Sequence, residues 1–252
     1  MQIDVNCDLG ESYGIYRIGS DEAMMPLVSS VNIACGFHGG DADTMAETVE
    51  KALKHGKAIG AHPGYPDLQG FGRRHMAMTP SEVINVMIYQ IGALDGFIRA
   101  AGGQLHHVKP HGALYNKGAI DPALADAIAS AIKKLNPQLF LYGLAGSELC
   151  KAGQRQGLKV VREAFVDRTY QEDGTLTPRQ QEKALIHDAD QALQQALSII
   201  EKKAVQTTTG TWISLEADSL CLHGDNEKAV ELAQYLRKKF SEKNITIKAP
   251  FC

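Results

Sequence analysis

The sequence predicts one α/β domain over residues 1–252, a distorted (β/α) barrel of about seven parallel strands. Three observations carry this expectation. Short apolar runs alternate with segments of helical period along nearly the whole chain. Helix starts between those runs are well marked by capping residues. Polar residues follow the apolar runs directly, where the carboxyl ends of parallel strands would gather them on one rim. No flexible linker, low-complexity run or short repeat divides the chain, and 252 residues suffice for one large core.

Strands are expected at residues 3–7, 31–35, 58–62, 105–109, 139–141, 159–164 and 219–223. Between them, Thr79-Pro80-Ser81-Glu82 and Thr177-Pro178-Arg179-Gln180 each offer an N-cap threonine, a proline at the first helical position and a Glu or Gln to close a capping box. Asp121-Pro122 repeats the device. After Thr79, the residues Val83, Val86, Met87, Ile91, Leu94 and Ile98 form one apolar stripe that stops before Gly102-Gly103. Residues 178–205 read as a longer surface helix with a Gln-rich outer face.

Composition narrows the function classes. A formal net charge of -3 without a long basic block gives no drive toward nucleic acid or an anionic membrane. No apolar run reaches membrane-spanning length and no secretory signal opens the chain, so a cytoplasmic protein is expected. Five scattered cysteines without CxxC spacing read as reduced, small buried hydrophobes. A small molecule or a protein is the expected partner, and self-association stays open.

The strand ends supply the chemistry. Asp4, Asn6 and Asp8 share one parity of the first strand, against Ile3, Val5 and Cys7 on the other, and Gly10 and Glu11 follow. Three inward polar side chains are costly unless hydrogen-bonded or bound to something; an exposed edge strand is the competing reading. The second end, from Gly36 through His38 to Asp41, is a glycine-rich turn able to cradle an anion, although Asp41 also suits a helix N-cap. The third brings His62, then a Pro- and Gly-rich loop to Arg73 and Arg74, which can grip a carboxylate or stand solvated. In QLHHVKPHGALYN, Leu105, His107, Lys109 and His111 share parity, and Pro110 should stop the strand so that Lys109 and His111 stay close. Later ends add Glu163, Asp167, Arg168 and Tyr170, then His223 and Asp225, the last with a rival role as helix cap. No GxxxxGK[ST] phosphate loop occurs. His62, Lys109 and His111 are therefore expected around one mouth.

VNCDLGES, NIACGFHGGD, GAHPGYPD, GFGRR, VKPHGALYN, EAFVDRTY and CLHGD, in this order along nearly the whole chain, resemble the signature segments of the LamB/YcsF family. Members of that family are described as the first of the subunits that make up an ATP-hydrolysing 5-oxoprolinase. The resemblance implies cleavage of 5-oxo-L-proline (pyroglutamate) to L-glutamate, with ATP consumed by a complex that includes 5-oxoprolinase subunits B and C. It also implies a β/α barrel similar to that of the polysaccharide deacetylases.

On the residues, Asp8 or His111 is expected as general base toward water, Lys109 and Arg73 as the charges facing phosphate or carboxylate, and His62 as the acid for the departing nitrogen. Asn6, Gly36, His38, Asp41, Arg73, Tyr115, Asp167, Arg168, His223 and Asp225 are candidates for holding substrate. Two other readings compete. One is a metal-dependent amide or ester hydrolase of the deacetylase kind, with Asp8 and His38, His62 or His111 as ligands of a divalent ion. The other is a non-catalytic subunit that presents the lactam.

Overall fold

The computed structural model describes residues 1–222 and 228–250, so the expectations for His223 and Asp225 lie outside the described residues. Seven parallel strands form a closed ring: β1 (Gln2–Leu9), β2 (Ser30–Ala34), β3 (Ala58–His62), β4 (His107–Val108), β5 (Phe140–Leu144), β6 (Lys159–Phe165) and β9 (Ser219–Leu222). Closure comes from β9, which pairs with β6 through Glu163↔Ser219 and with β1 through Asp4↔Ser219. A short β10 (Thr246–Ile247) pairs with the first residues of β1, and β7 (Ala204–Gln206) with β8 (Trp212–Ser214) makes a separate antiparallel hairpin.

Helices pack around the ring. They are α1 (Asp21–Met24), α2 (Ala42–Lys54), α3 (Pro80–Ala100), α4 (Gly112–Gly118), α5 (Pro122–Leu135), α6 (Glu148–Gln156), α7 (Ala189–Leu197) and α8 (Ala229–Glu242). The Thr79 capping box is fully formed, and of the expected stripe Val83, Met87, Ile91, Leu94 and Ile98 are buried while Val86 is half-buried at its margin. Each such side chain contributes about 1.5–3 kcal/mol by leaving water. Gln90 on the same helix is also buried; its amide donates to the Gly64 carbonyl at 2.8 Å and its oxygen accepts from the Gly64 N–H at 2.9 Å. That pair of bonds pins the loop after β3 to α3.

Two expectations are corrected. The fourth strand is only His107–Val108, because Pro110 ends it; Lys109 still donates its N–H to Ala61 O at 2.9 Å, but His111 stands beyond the strand as N-cap of α4. Residues 178–188 hold turns, bends and an isolated bridge of Leu185 to Arg168 but no helix, and the helix starts only at Ala189 under an Asp188 cap. Thr177 does not cap it, since its carbonyl accepts from Arg168 Nη2 at 2.6 Å and its hydroxyl accepts from Thr169 at 2.8 Å. The Gln-rich face is not wholly outward: Gln195 donates to Phe165 O and Arg168 O, both at 2.8 Å.

The barrel interior is polar, and Asp4, Asn6 and Asp8 point into it while Ile3, Val5 and Cys7 join the hydrophobic layer under the helices. Asp4 Oδ1 accepts from Ser29 at 2.6 Å and Ser30 at 2.7 Å, and Oδ2 from Tyr142 at 3.0 Å and from Ser219. Asn6 links this level to the next, donating to Ser219 and accepting from Asn32 Nδ2, both at 2.8 Å. Asn32 Oδ1 in turn accepts from His107 Nε2 at 2.8 Å, and the His107 ring stacks on Tyr142. Gly60 makes room for that ring: a Cβ there would stand 2.1 Å from His107 Nε2, inside any contact distance.

Candidate active site

At the carboxyl end of the strands the barrel opens into a cavity of about 640 Å³. Asp8, Glu11, His62, Lys109, His111, Arg73, Tyr115 and Arg168 line it, so segments far apart in the chain converge on one mouth. The four residues expected to carry the chemistry, Asp8, His62, Lys109 and His111, are brought together.

Lys109 is the hub of the floor. Its ammonium lies 2.9 Å from Asp8 Oδ1 and 2.8 Å from Glu163 Oε1, and it also meets Asn6 Oδ1 at 3.1 Å and Cys221 Sγ at 3.1 Å. Burial opposes its charge, but Asp8, Cys221 and Glu163 outweigh that and hold its pKa well above the usual lysine value. Tyr115 donates to the far oxygen of Glu163 at 2.6 Å, and burial together with that carboxylate pushes its own pKa well up. The lysine is thus a fixed cation shared by two carboxylates.

Beside it stand three imidazoles. The His62 Nδ1 side meets Lys109 O at 2.7 Å, and His111 Nε2 meets Phe71 O at 2.8 Å. Their other nitrogens, His62 Nε2 and His111 Nδ1, are 2.9 Å apart. Asp8 Oδ2 lies 3.2 Å from His62 Nε2, and Glu11 Oε1 lies 3.6 Å from His111 Nδ1. His38 is fully buried behind this group; its ring stacks on His111 at 3.6 Å between centroids, and its Nε2 is 3.3 Å from Glu11 Oε1. Burial first, and the neighbouring imidazoles second, depress the pKa of His38 and His111 well below the ordinary histidine value, so both rings are neutral. The side chains of Glu11, His38, His62 and His111 can hold a metal ion, their ligand atoms all lying within 4.8 Å of one another.

The loop after β3 supplies the cover. Phe71, at φ 54°, aims its carbonyl at His111, and Arg73 lies over the Phe71 ring at 4.9 Å. Between them Gly72 adopts φ 62°, where a Cβ would come within 2.7 Å of His38 and 2.8 Å of His111; only glycine fits there.

Several expected substrate residues stand elsewhere. Asp41 caps α2, accepting from Thr44 N at 2.8 Å and from Gly14 N at 2.6 Å, and Gly36 closes its own turn with Gly39 O. Asn6 lies beneath Lys109, inside the barrel, and Asp167 is buried next to Arg168 without lining the cavity. Arg168 does reach it, with burial and the nearby Arg179 lowering its pKa to about 10. Sequence reasoning passed over Glu11 as a site residue and named Glu163 only as a strand end. The available signal for Glu11 was its place immediately after the first strand, in the loop that returns over the mouth.

Residues 3–251 match the model of the LamB/YcsF family. The chain belongs to that family. Within it, the chain is 56% identical over 251 residues to the A-type subunit of 5-oxoprolinase from Heliobacterium modesticaldum, covering 100% of this chain and 99% of the relative. It is 53% identical over 249 residues to the A-type subunit of 5-oxoprolinase from Bacillus cereus strain AH187, covering 98% of each. The solved structure of a lactam utilization protein from Thermus thermophilus superposes with a TM-score of 0.93 at 44% identity, over 99% of this chain and 100% of that one. That protein and this chain share the closed barrel described here.

Proposed function

We propose that this chain is the ring-opening component of an ATP-dependent 5-oxoprolinase, converting 5-oxo-L-proline to L-glutamate together with subunits B and C. Full-length similarity to the A-type subunits of that enzyme supports the reading. The observation that carries the chemistry is Asp8, held between Lys109 at 2.9 Å and His62 at 3.2 Å on the floor of the cavity.

A lactam carbonyl is a poor electrophile, and ATP can activate it by phosphorylating the amide oxygen. This chain has no phosphate loop, so phosphoryl transfer is assigned to the partner subunits and ring opening to this one. The cavity is several times what a five-membered lactam fills, which leaves space for a phosphoryl group near Arg73 and Arg168.

Water adds to the activated carbon as Asp8 takes its proton. The carbon–nitrogen bond then breaks, Asp8 returns the proton to the departing nitrogen, and a second water releases phosphate from the resulting acyl phosphate. We assign the acid role to Asp8 in place of His62, because the Nδ1 hydrogen of His62 is committed to Lys109 O. Lys109 stays protonated throughout and stabilises negative charge on Asp8 and on the reacting oxygen.

The test is the reconstituted complex. Asp8→Asn, nearly isosteric, should lower glutamate formation by roughly 10²–10⁴-fold while leaving the far-ultraviolet spectrum unchanged. Parent-like turnover in that variant would remove the assignment.

A further inference from the structure

The geometry points to a divalent transition-metal site formed by Glu11, His62 and His111, with His38 as a positioning residue and not a ligand. Hydrogen positions decide which atoms are donors to a metal. A backbone carbonyl only accepts, so the contact of His62 Nδ1 with Lys109 O at 2.7 Å places a hydrogen on Nδ1, and Nε2 of the neutral ring is then a lone pair. The contact of His111 Nε2 with Phe71 O at 2.8 Å likewise leaves Nδ1 as a lone pair. These two bare nitrogens face each other at 2.9 Å, with rings nearly perpendicular. Around them stand carboxylate oxygens of Asp8, 3.2 Å from His62 Nε2, and of Glu11, 3.6 Å from His111 Nδ1.

Two nitrogen lone pairs facing each other at 2.9 Å repel unless a proton or a metal ion sits between them, and the ligand atoms of Glu11, His62 and His111 lie within 4.8 Å of one another, close enough to share an ion. A tetrahedral zinc-like ion with arms of about 2.0–2.1 Å holds its ligand atoms roughly 3.3 Å apart, and the spacings of 2.9 and 3.6 Å bracket that value. A ligating histidine commonly gives its other N–H to a backbone carbonyl, which is what both rings do here. Two imidazoles and one carboxylate suit zinc and its neighbours in the first transition row better than magnesium or calcium, which prefer oxygen.

His38 is excluded by its orientation. Its ring is parallel to His111 within 3°, so its lone pairs run beside those of His111 instead of meeting them. It also lies outside the cavity wall, whereas Glu11, His62 and His111 line it. Its contribution is to fix the His111 ring by stacking and Glu11 through Nε2. The open side of the site then faces the cavity beside Asp8, where the ion would polarise the carbonyl of the substrate; that purpose alone rests on the lactam reading.

Metal binding is measured on the full chain without lactam, nucleotide or partners. Chelator-treated protein is titrated with Co²⁺, followed by visible absorption, and then with Zn²⁺ as competitor. One Co²⁺ per chain, with the intense bands of a four- or five-coordinate ion displaced by Zn²⁺, is expected. Glu11→Gln and His111→Gln should each weaken uptake beyond the roughly 10–100-fold that loss of an outer partner costs, and His38→Gln should stay within that range. Asp8→Asn should still take up one Co²⁺ per chain through Glu11, His62 and His111, so inactivity of the metal-loaded variant tests the ring-opening reading separately.

No uptake by the folded chain, or uptake indifferent to Glu11→Gln and His111→Gln, would overturn the site. So would a ¹⁵N spectrum showing a proton shared by His62 and His111 that survives excess Zn²⁺. Should the variants fail to fold, X-ray absorption of the cobalt-loaded parent decides: two coordinated imidazoles support the set, and any other number overturns it.

Discussion

Two levels of the same barrel handle buried polarity in opposite ways. Low in the interior, Asp4 is surrounded by four hydroxyl donors from Ser29, Ser30, Tyr142 and Ser219, so its lone pairs are consumed by the protein itself. At the rim, His62 Nε2 and His111 Nδ1 face each other at 2.9 Å, each ring's other nitrogen being turned to a backbone carbonyl, with carboxylate oxygens of Asp8 and Glu11 alongside. The first arrangement is closed and holds strands together; the second is open toward a cavity and waits for something from outside. Burial alone does not separate structural from functional polar groups. The balance of donors and acceptors does.

The contrast can be broken most forcefully at the closed level. Asp4→Ala leaves the surrounding hydroxyls without their acceptor and should cost about 3–5 kcal/mol in denaturant unfolding, comparable to breaking a buried ionic network. Its turnover per folded molecule should stay within about twofold of the parent, well short of an acid–base residue's contribution. A large loss of turnover with unchanged stability would erase the distinction between the two levels.

A smaller effect is expected at Asp21, which accepts from Gly10 N at 2.7 Å and so supports the turn leading to Glu11. Burial raises its carboxyl to about 6, partly offset by that hydrogen bond. The folded state therefore keeps the proton to higher pH than the unfolded one. The associated stability is intact below about pH 4 and is lost as pH rises through about 6, a span of roughly 1–3 kcal/mol. Asp21→Asn should remove this decline, so that its stability relative to the parent improves from pH 4 to pH 7; a difference independent of pH contradicts the assignment.

The smallest change is a remote control. Thr79→Ala removes the α3 capping box and should lower stability by about 1 kcal/mol, leaving both glutamate formation and metal uptake unaltered. Any effect on either would mean that α3 communicates with the rim through Gln90 and Gly64.

Much of this arrangement was legible in the chain. The strands announce themselves because one face of each must be apolar under the helices, and the Asp4, Asn6, Asp8 alternation reads correctly as inward polarity. His62 was visible for the same reason, as the last residue of its strand, and Lys109 as the first residue beyond its own. Glu11 was not, because a loop carries no periodicity and its approach to His111 depends on a backbone path that sequence spacing does not specify. Residues 178–188 misled for a different cause. Thr177-Pro178 is a sound local helix start, but Arg168 and Thr169 claim the hydrogen-bonding groups of Thr177, and tertiary contacts outbid the local signal.

The loop from Phe71 to Arg73 has a mechanical consequence. Its Phe71 carbonyl is bonded to His111, and its Gly72 backbone lies flush against two imidazole rings. The backbone that carries the exposed Arg73 is therefore tied to the reaction centre and cannot shift without pulling His111 with it. Any widening of the entrance to admit a bulky activated substrate falls to the facing wall, residues 171–180, whose irregular backbone has no such anchor to the histidines among the described residues.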